Sequence, residues 1–233
     1  MHILLVLVAF VLGAPAQPPA ALSGTLIDAT GRSLPAVPVT LVDTADRRKY
    51  DTRSGDDGRF TLQGVAAGEY RIEIDKPGFN PVAGRIVIDA GQQLRRDVVA
   101  QLAGIAHMYN LGLTPTASRP TERTLVRKAA PPDPCVGSTA AGCVTPPMRT
   151  VEAWPVYPRE RAEKRVGGEV TITGRLGTDG FLNGLRAADG SDPAMAAAAI
   201  AALQLWEYSV ARLNGVPQEI PITVTFRFNA GTD

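Results

Sequence analysis

Apolar residues recur at every second position in short runs through the first part of the chain. At residues 70–75, Tyr70, Ile72 and Ile74 alternate with Arg71, Glu73 and Asp75, the signature of a strand with one buried face. Comparable runs lie at 22–28, 37–42, 59–62, 85–89 and 94–100. Thr30-Gly31, Asp57-Gly58, Ala67-Gly68 and Pro77-Gly78 fall between runs, and each is a turn signal. Short strands spaced by turns, with no helical period between them, predict an antiparallel β-sandwich over residues 17–102.

The alternation dissolves over residues 103–150. Seven of the 19 prolines lie here (Pro115, Pro120, Pro131, Pro132, Pro134, Pro146 and Pro147), and proline removes a donor and fixes φ. This stretch reads as a semi-rigid, proline-rich linker. Its Arg119, Arg123, Arg127 and Lys128 read as a solvated run rather than a polyanion site.

Order returns in residues 151–230. A short helix is expected over 158–165, with Glu160 and Lys164 at i,i+4, stopped by Gly167-Gly168. Val170, Ile172 and Leu176 mark a strand, Asp179-Gly180 a turn, and residues 182–187 the return strand. Asp192 and Pro193 suit the N-cap and first position of an alanine-rich helix over 194–206. After the Asn214-Gly215 turn, Ile220, Ile222, Val224, Phe226 and Phe228 alternate with Pro221, Thr223, Thr225 and Arg227. Helix, strand, strand, helix, strand is the order of a small α+β domain with one sheet.

Bulk charge excludes little beyond field-driven partners. A net charge of +1 favours neither nucleic acid nor an anionic membrane. The N-terminus changes the picture more. An apolar run over residues 3–12, then Gly13 and Ala14-Pro15-Ala16, is the pattern of a secretory signal peptide over residues 1–16, despite the lack of Lys or Arg before it. The run is too short to span a bilayer core, which takes ~20 apolar residues. A periplasmic or secreted protein cleaved near Ala16 is expected, with membrane contact only if the run is retained. Export lets the two cysteines, Cys135 and Cys143, form a disulfide closing a small loop, with roughly 2–3 kcal/mol of stabilisation. Two thiols and one distant histidine do not make a zinc site, so neither metal nor cofactor is expected.

Catalytic constellations are missing. Beyond the leader the sole histidine is His107, which has no triad pattern around it. Asp56-Asp57-Gly58 lacks the later oxygen ligands of a calcium loop and reads as an Asx turn. Glu69 and Glu73 have no partner marking an acid/base pair. No catalytic residue is assigned, and a non-enzymatic protein is expected.

Two stretches resemble known families. Ser23-Gly24-Thr25-Leu26, Asp28 with Gly31, the 38–41 strand, Asp57-Gly58-Arg59-Phe60-Thr61-Leu62, Gly68-Glu69-Tyr70-Arg71-Ile72 and Lys76-Pro77-Gly78-Phe79 resemble the carboxypeptidase regulatory-like family. That resemblance implies a transthyretin-like (prealbumin-like) all-β sandwich, of a kind that accompanies enzymes and receptors without carrying catalytic groups. Tyr157-Pro158, Gly168-x-Val170, Asp179-Gly180, Trp206-x-Tyr208, Asn214-Gly215-Val216-Pro217 and Phe226-Arg227-Phe228 are similar, in order and spacing, to the TonB C-terminal domain. Val210 stands where that family usually has proline, and the helix is unusually rich in alanine.

The TonB resemblance implies that the last strand lies near a sheet edge that captures an extended peptide by β-augmentation. Thr223, Thr225 and Arg227, facing away from the apolar side, are then the peptide-binding candidates. A purely structural edge, or self-pairing into a homodimer, remain the alternatives. Trp206 and Tyr208 read as core anchors rather than a ligand platform. The expected partner is an extended segment of an envelope protein, most simply an outer-membrane receptor, with a link to TonB-dependent transport. A cleaved leader would make the protein an adaptor, a competitor for receptor segments or a scaffold, because energy transduction needs an inner-membrane anchor. The alternative is carbohydrate or cell-wall binding by the sandwich, whose aromatics are Tyr50, Phe60, Tyr70 and Phe79.

Overall fold

The computed structural model describes residues 18–112, 128–130 and 132–230. The expected leader with its cleavage site at Ala16, and Arg119, Arg123 and Arg127, lie outside the described residues. Eight strands build the first unit: β1 (Ala20–Asp28), β2 (Pro38–Asp43), β3 (Lys49–Arg53), β4 (Arg59–Val65), β5 (Gly68–Ile74), β6 (Val82–Ile88), β7 (Gln93–Arg95) and β8 (Val98–Ala100). One sheet is antiparallel in the order β3-β2-β5-β6. In the other, β1 pairs antiparallel with β4 and parallel with β7 and β8. This is the all-β sandwich anticipated from the alternation.

Its core follows the period-two residues. Leu22, Leu26, Val39, Leu41, Phe60, Leu62, Tyr70, Ile72, Ile74, Ile86 and Ile88 are buried between the sheets. Tyr70 packs edge-on against Tyr50, with ring centroids 5.9 Å apart, and donates to the Ala66 carbonyl at 2.8 Å. Burial pushes its phenol up to about 12. Asp57 accepts from the Arg59 amide at 3.0 Å, the Asx turn read from the sequence. Gly58 closes that turn at φ +74°, where a Cβ would lie 2.4 Å from the Leu26 carbonyl oxygen, so only glycine fits without rearrangement.

The second unit contains β9 (Ile105–Gly112), β10 (Val144–Thr145), β11 (Arg149–Val151), α1 (Arg159–Glu163), β12 (Gly168–Leu176), β13 (Leu182–Ala187), α2 (Pro193–Leu203), β14 (Glu207–Tyr208), β15 (Arg212–Leu213), β16 (Val216–Pro217) and β17 (Ile220–Asn229). Its main sheet has the order β13-β12-β17-β9. Asp192 caps α2 by accepting from the amides of Ala194 and Met195, with Pro193 at the first turn. Met195, Ala196, Ala199, Ala202 and Leu203 are buried. The alanines let the helix lie close to the sheet, with the Met195 sulfur beside Gly168. The short helix α1 spans only five residues, and its i,i+4 pair is Arg159–Glu163 at 2.7 Å rather than Glu160–Lys164.

Two expectations are corrected here. The stretch read as a plain linker supplies β9, β10 and β11. Residues 105–112 contain no proline, and Ile105, His107, Tyr109 and Leu111 turn inward while Ala106, Met108 and Asn110 are exposed. In consequence β17 is no edge: β12 pairs with it antiparallel, and β9 pairs with it parallel over 222–229.

The two units join around Asn214, whose own φ is +53°. Its side-chain nitrogen donates to the buried Asp28 carboxylate at 2.6 Å, and its side-chain oxygen accepts from the amides of Gly142 and Cys143. Asp28 also accepts from the Thr30 amide and hydroxyl and from the Arg32 amide. The Cys135–Cys143 disulfide closes the adjoining loop.

Candidate functional site

The pairing of β9 with β17 lines up side chains in rows across both faces of the sheet. On the outer face Thr223 lies between Thr173 and Ala106, Thr225 between Thr171 and Met108, and Arg227 between Glu169 and Asn110. The Thr171 and Thr225 hydroxyls share a hydrogen bond at 2.9 Å, and Arg227 pairs with Glu169 at 2.9 Å. Thr225 is only 9% exposed. The three candidate peptide-binding residues are thus brought together on one face, with the side chains of Thr225 and Arg227 already engaged within the sheet.

The inner face carries a different arrangement. Ile172, Val224 and His107 align, as do Val170, Phe226 and Tyr109. The Tyr109 ring sits among Trp154, Trp206 and Phe226, at centroid distances of 5.4, 5.6 and 5.6 Å. Edge-to-face and offset contacts of this kind each contribute about 0.5–1.5 kcal/mol beyond area burial. Trp206 is fully buried, as expected of a core anchor, and its indole donates to the Ala153 carbonyl at 2.6 Å.

Arg149 covers this cluster from β11. Its guanidinium lies 4.3 Å from the Trp206 ring centroid and 5.1 Å from that of Tyr109, and it donates to the Tyr109 hydroxyl. Glu152 pairs with it at 2.9 Å in a largely buried geometry. A cation over two rings, with its own counter-ion, makes a slot for one aromatic side chain. Burial pushes the Tyr109 phenol up, partly offset by Arg149. Burial raises Tyr208 well above its usual range, also against the pull of Arg149. His107 is held below its ordinary value, first by burial and then by the charge of Arg149, while Glu152 opposes the shift. Its Nε2 is buried without a hydrogen-bond partner among the described residues.

Tyr109, Trp154 and Arg149 were missed by the sequence reading. The period-two pattern from Ile105 to Leu111 was the available signal for Tyr109. Nothing local marks Trp154 or Arg149, whose ring partners are distant in sequence. Among the described residues no group of three or more His, Cys, Asp or Glu side chains could hold a metal ion. In the sandwich, Phe60, Tyr70 and Phe79 are buried, while Tyr50 is half-buried against Tyr70.

Comparison with known proteins identifies both units. Residues 21–101 match the carboxypeptidase regulatory-like domain, and residues 153–230 match the Gram-negative bacterial TonB protein C-terminal domain. Neither is a catalytic family. The comparison with curated proteins gave no match. Solved structures that match part of the chain include hydroxyquinol 1,2-dioxygenase of Pseudomonas putida DLL-E4, at 12% identity over 38% of this chain and 58% of that one, TM-score 0.32. The 3-chlorocatechol 1,2-dioxygenase of Rhodococcus opacus 1CP matches at 10% identity over 38% of this chain and 61% of that one, TM-score 0.32. The 5-hydroxyisourate hydrolase of Klebsiella pneumoniae matches at 17% identity over 36% of this chain and 92% of that one, TM-score 0.31. The chain spans less than two thirds of either dioxygenase, and their activities remain theirs. Among the described residues no helix is long and apolar enough to cross a membrane. The chain thus joins a carboxypeptidase regulatory-like domain over residues 21–101 to a TonB C-terminal domain over residues 153–230.

Proposed function

We propose that the protein is a non-enzymatic periplasmic adaptor whose C-terminal domain binds an extended segment of another envelope protein by β-strand addition. The most direct partner is the periplasmic N-terminal segment of an outer-membrane receptor, which would link the protein to TonB-dependent transport. The observation that carries this reading is the β9–β17 ladder. A strand from outside the matched TonB C-terminal region lies along β17 for eight residues, in parallel. This pairing supports the reading that the β17 edge can take an extended segment in place of β9, whose backbone supplies affinity and whose alternate side chains supply selectivity. Thr223, Thr225 and Arg227 line the outer side of that ladder and would meet the outward residues of such a segment.

A capture experiment tests this. A photo-crosslinking residue replaces Arg227 in the full chain, which is mixed with detergent-solubilised envelope and irradiated. An adduct with the N-terminal segment of an outer-membrane receptor is the expected product. A folded chain that yields no adduct with any envelope protein would sink the reading. Adducts between two copies of the chain would replace it with a homodimer.

A further inference from the structure

If the C-terminal domain works by strand addition, its acceptor edge is not empty. We propose that β9 is a resident, displaceable ligand of that edge, an internal mimic that holds the site closed and states what a displacing partner must look like. The inference rests on the strand-addition reading and goes beyond it, because it assigns a competitor and a binding pattern to the site.

Several observations separate β9 from the rest of the sheet. It lies outside the region matched to the TonB C-terminal domain, which begins at residue 153. The residues it covers, Val224, Phe226 and Phe228, are fully buried, whereas Ile105, Tyr109 and Leu111 are only half-buried. Met108 on its outer face is 62% exposed. One inward residue, His107, keeps an unpartnered ring nitrogen, a cost that no other strand of this sheet carries among the described residues. The outer edge of β9 pairs with no further strand among the described residues. Such an element belongs to the low-stability end of a fold, where local opening precedes global unfolding.

The tether on its N-terminal side keeps β9 at the site. The chain leaves the sandwich through Gln101, whose carbonyl accepts from Asn80, and Ala103, whose amide donates to Gly78. Gly104 then passes Pro221 so closely that a Cβ would lie 2.7 Å from its carbonyl oxygen. A strand so tethered competes at an effective concentration on the order of millimolar, so a free segment of modest affinity is attenuated.

Release of β9 would bare the hydrogen-bonding edge of β17 and the ring slot between Trp154, Trp206 and Phe226 under Arg149. The segment that fits runs parallel to β17 and places apolar side chains at alternate positions. It carries a phenol or similar ring opposite Phe226, where its hydroxyl meets Arg149. Its outward residues face Thr223, Thr225 and Arg227.

The test uses the full chain and a fluorescein-labelled peptide copying residues 104–112. Two variants loosen β9 by independent means. Tyr109→Ala empties the ring slot, and Gly104→Val forces the strand away from Pro221. With the open form at about 1–10% in the wild type, the peptide should bind each variant about 10- to 100-fold more tightly. Near-ultraviolet circular dichroism of the buried Trp206 checks that each variant is folded. Equal affinity for the wild type and both folded variants overturns the proposal, because β9 would then not compete. If receptor segments still crosslink at position 227 in that case, strand addition survives and only the resident-ligand role falls. If neither peptide nor receptor segment binds any folded form, both readings fall together.

Discussion

His107 is the titrating residue of the inner row. It lies on β9, 5.8 Å from the Tyr109 ring, and faces Val224 across the ladder, with Arg149 and Glu152 the charged groups near it. Burial and the Arg149 charge hold its imidazole below the ordinary value of 6.5. In released β9 the same ring would titrate near that ordinary value, so the docked strand binds a proton less readily than the free one. The contribution of a neutral His107 to docking is therefore fully present above about 6.5 and is lost as pH falls below it. Hydrogen exchange of the amides in Ile105–Gly112, corrected for intrinsic rates, should show weaker protection at pH 5.5 than at 7.5. His107→Gln should flatten that difference. Unchanged protection in the wild type would mean the ring is solvated in the docked state.

The alanine-rich helix α2 shows what small residues do at the scale of an element. Ala199 is fully buried against the sheet, whereas Ala197, on the same helix, is exposed. Ala199→Leu must push the helix off β12 and β13 and should cost about 1–3 kcal/mol. Ala197→Leu should stay within about 0.5 kcal/mol of the wild type in urea unfolding. This helix was legible beforehand because its cap, its first proline and its composition agree locally. The sandwich strands were legible for a similar reason, as period-two runs lie between turn residues. β9 was not. Its alternation is diluted by Ala106, His107 and Asn110, which have no strong strand preference, and it stands before a proline-rich stretch that dominates the average. Its partner also lies more than a hundred residues away, Ile105 opposite Ile222, so no hairpin signal announces the pairing. β10, β11 and β14 to β16 are two or three residues each, too short to express any period. The candidate site inherited this blindness. Its outer row was nameable from β17 alone, while its inner slot depends on segments brought together only by the tertiary fold.

At the scale of the whole molecule, the sandwich and the TonB C-terminal domain are joined by side chains from motifs that sequence reading assigned to separate units. Asp28 belongs to the sandwich motif and Asn214 to the turn before the last strand, and the two meet at 2.6 Å. Asn214 also holds the loop closed by the Cys135–Cys143 disulfide through its Gly142 and Cys143 contacts. Asp28 is buried, so losing its Asn214 donor strands one carboxylate oxygen away from water. Asn214→Ala should cost about 1–3 kcal/mol, measured by urea unfolding. The consequence reaches β9, because that strand leaves the sandwich directly through residues 101–104, where Leu102 bridges to Phe79. A sandwich freed from the second domain no longer fixes the start of β9, and the local concentration of the strand at β17 falls. Amides of Ile105–Gly112 should then exchange faster in Asn214→Ala than in the wild type, while those of β12, buried within the same sheet, keep their relative protection. Equal loss of protection in β9 and β12 would instead mean that the junction supports the C-terminal domain as a whole, with no particular hold on the strand that closes its edge.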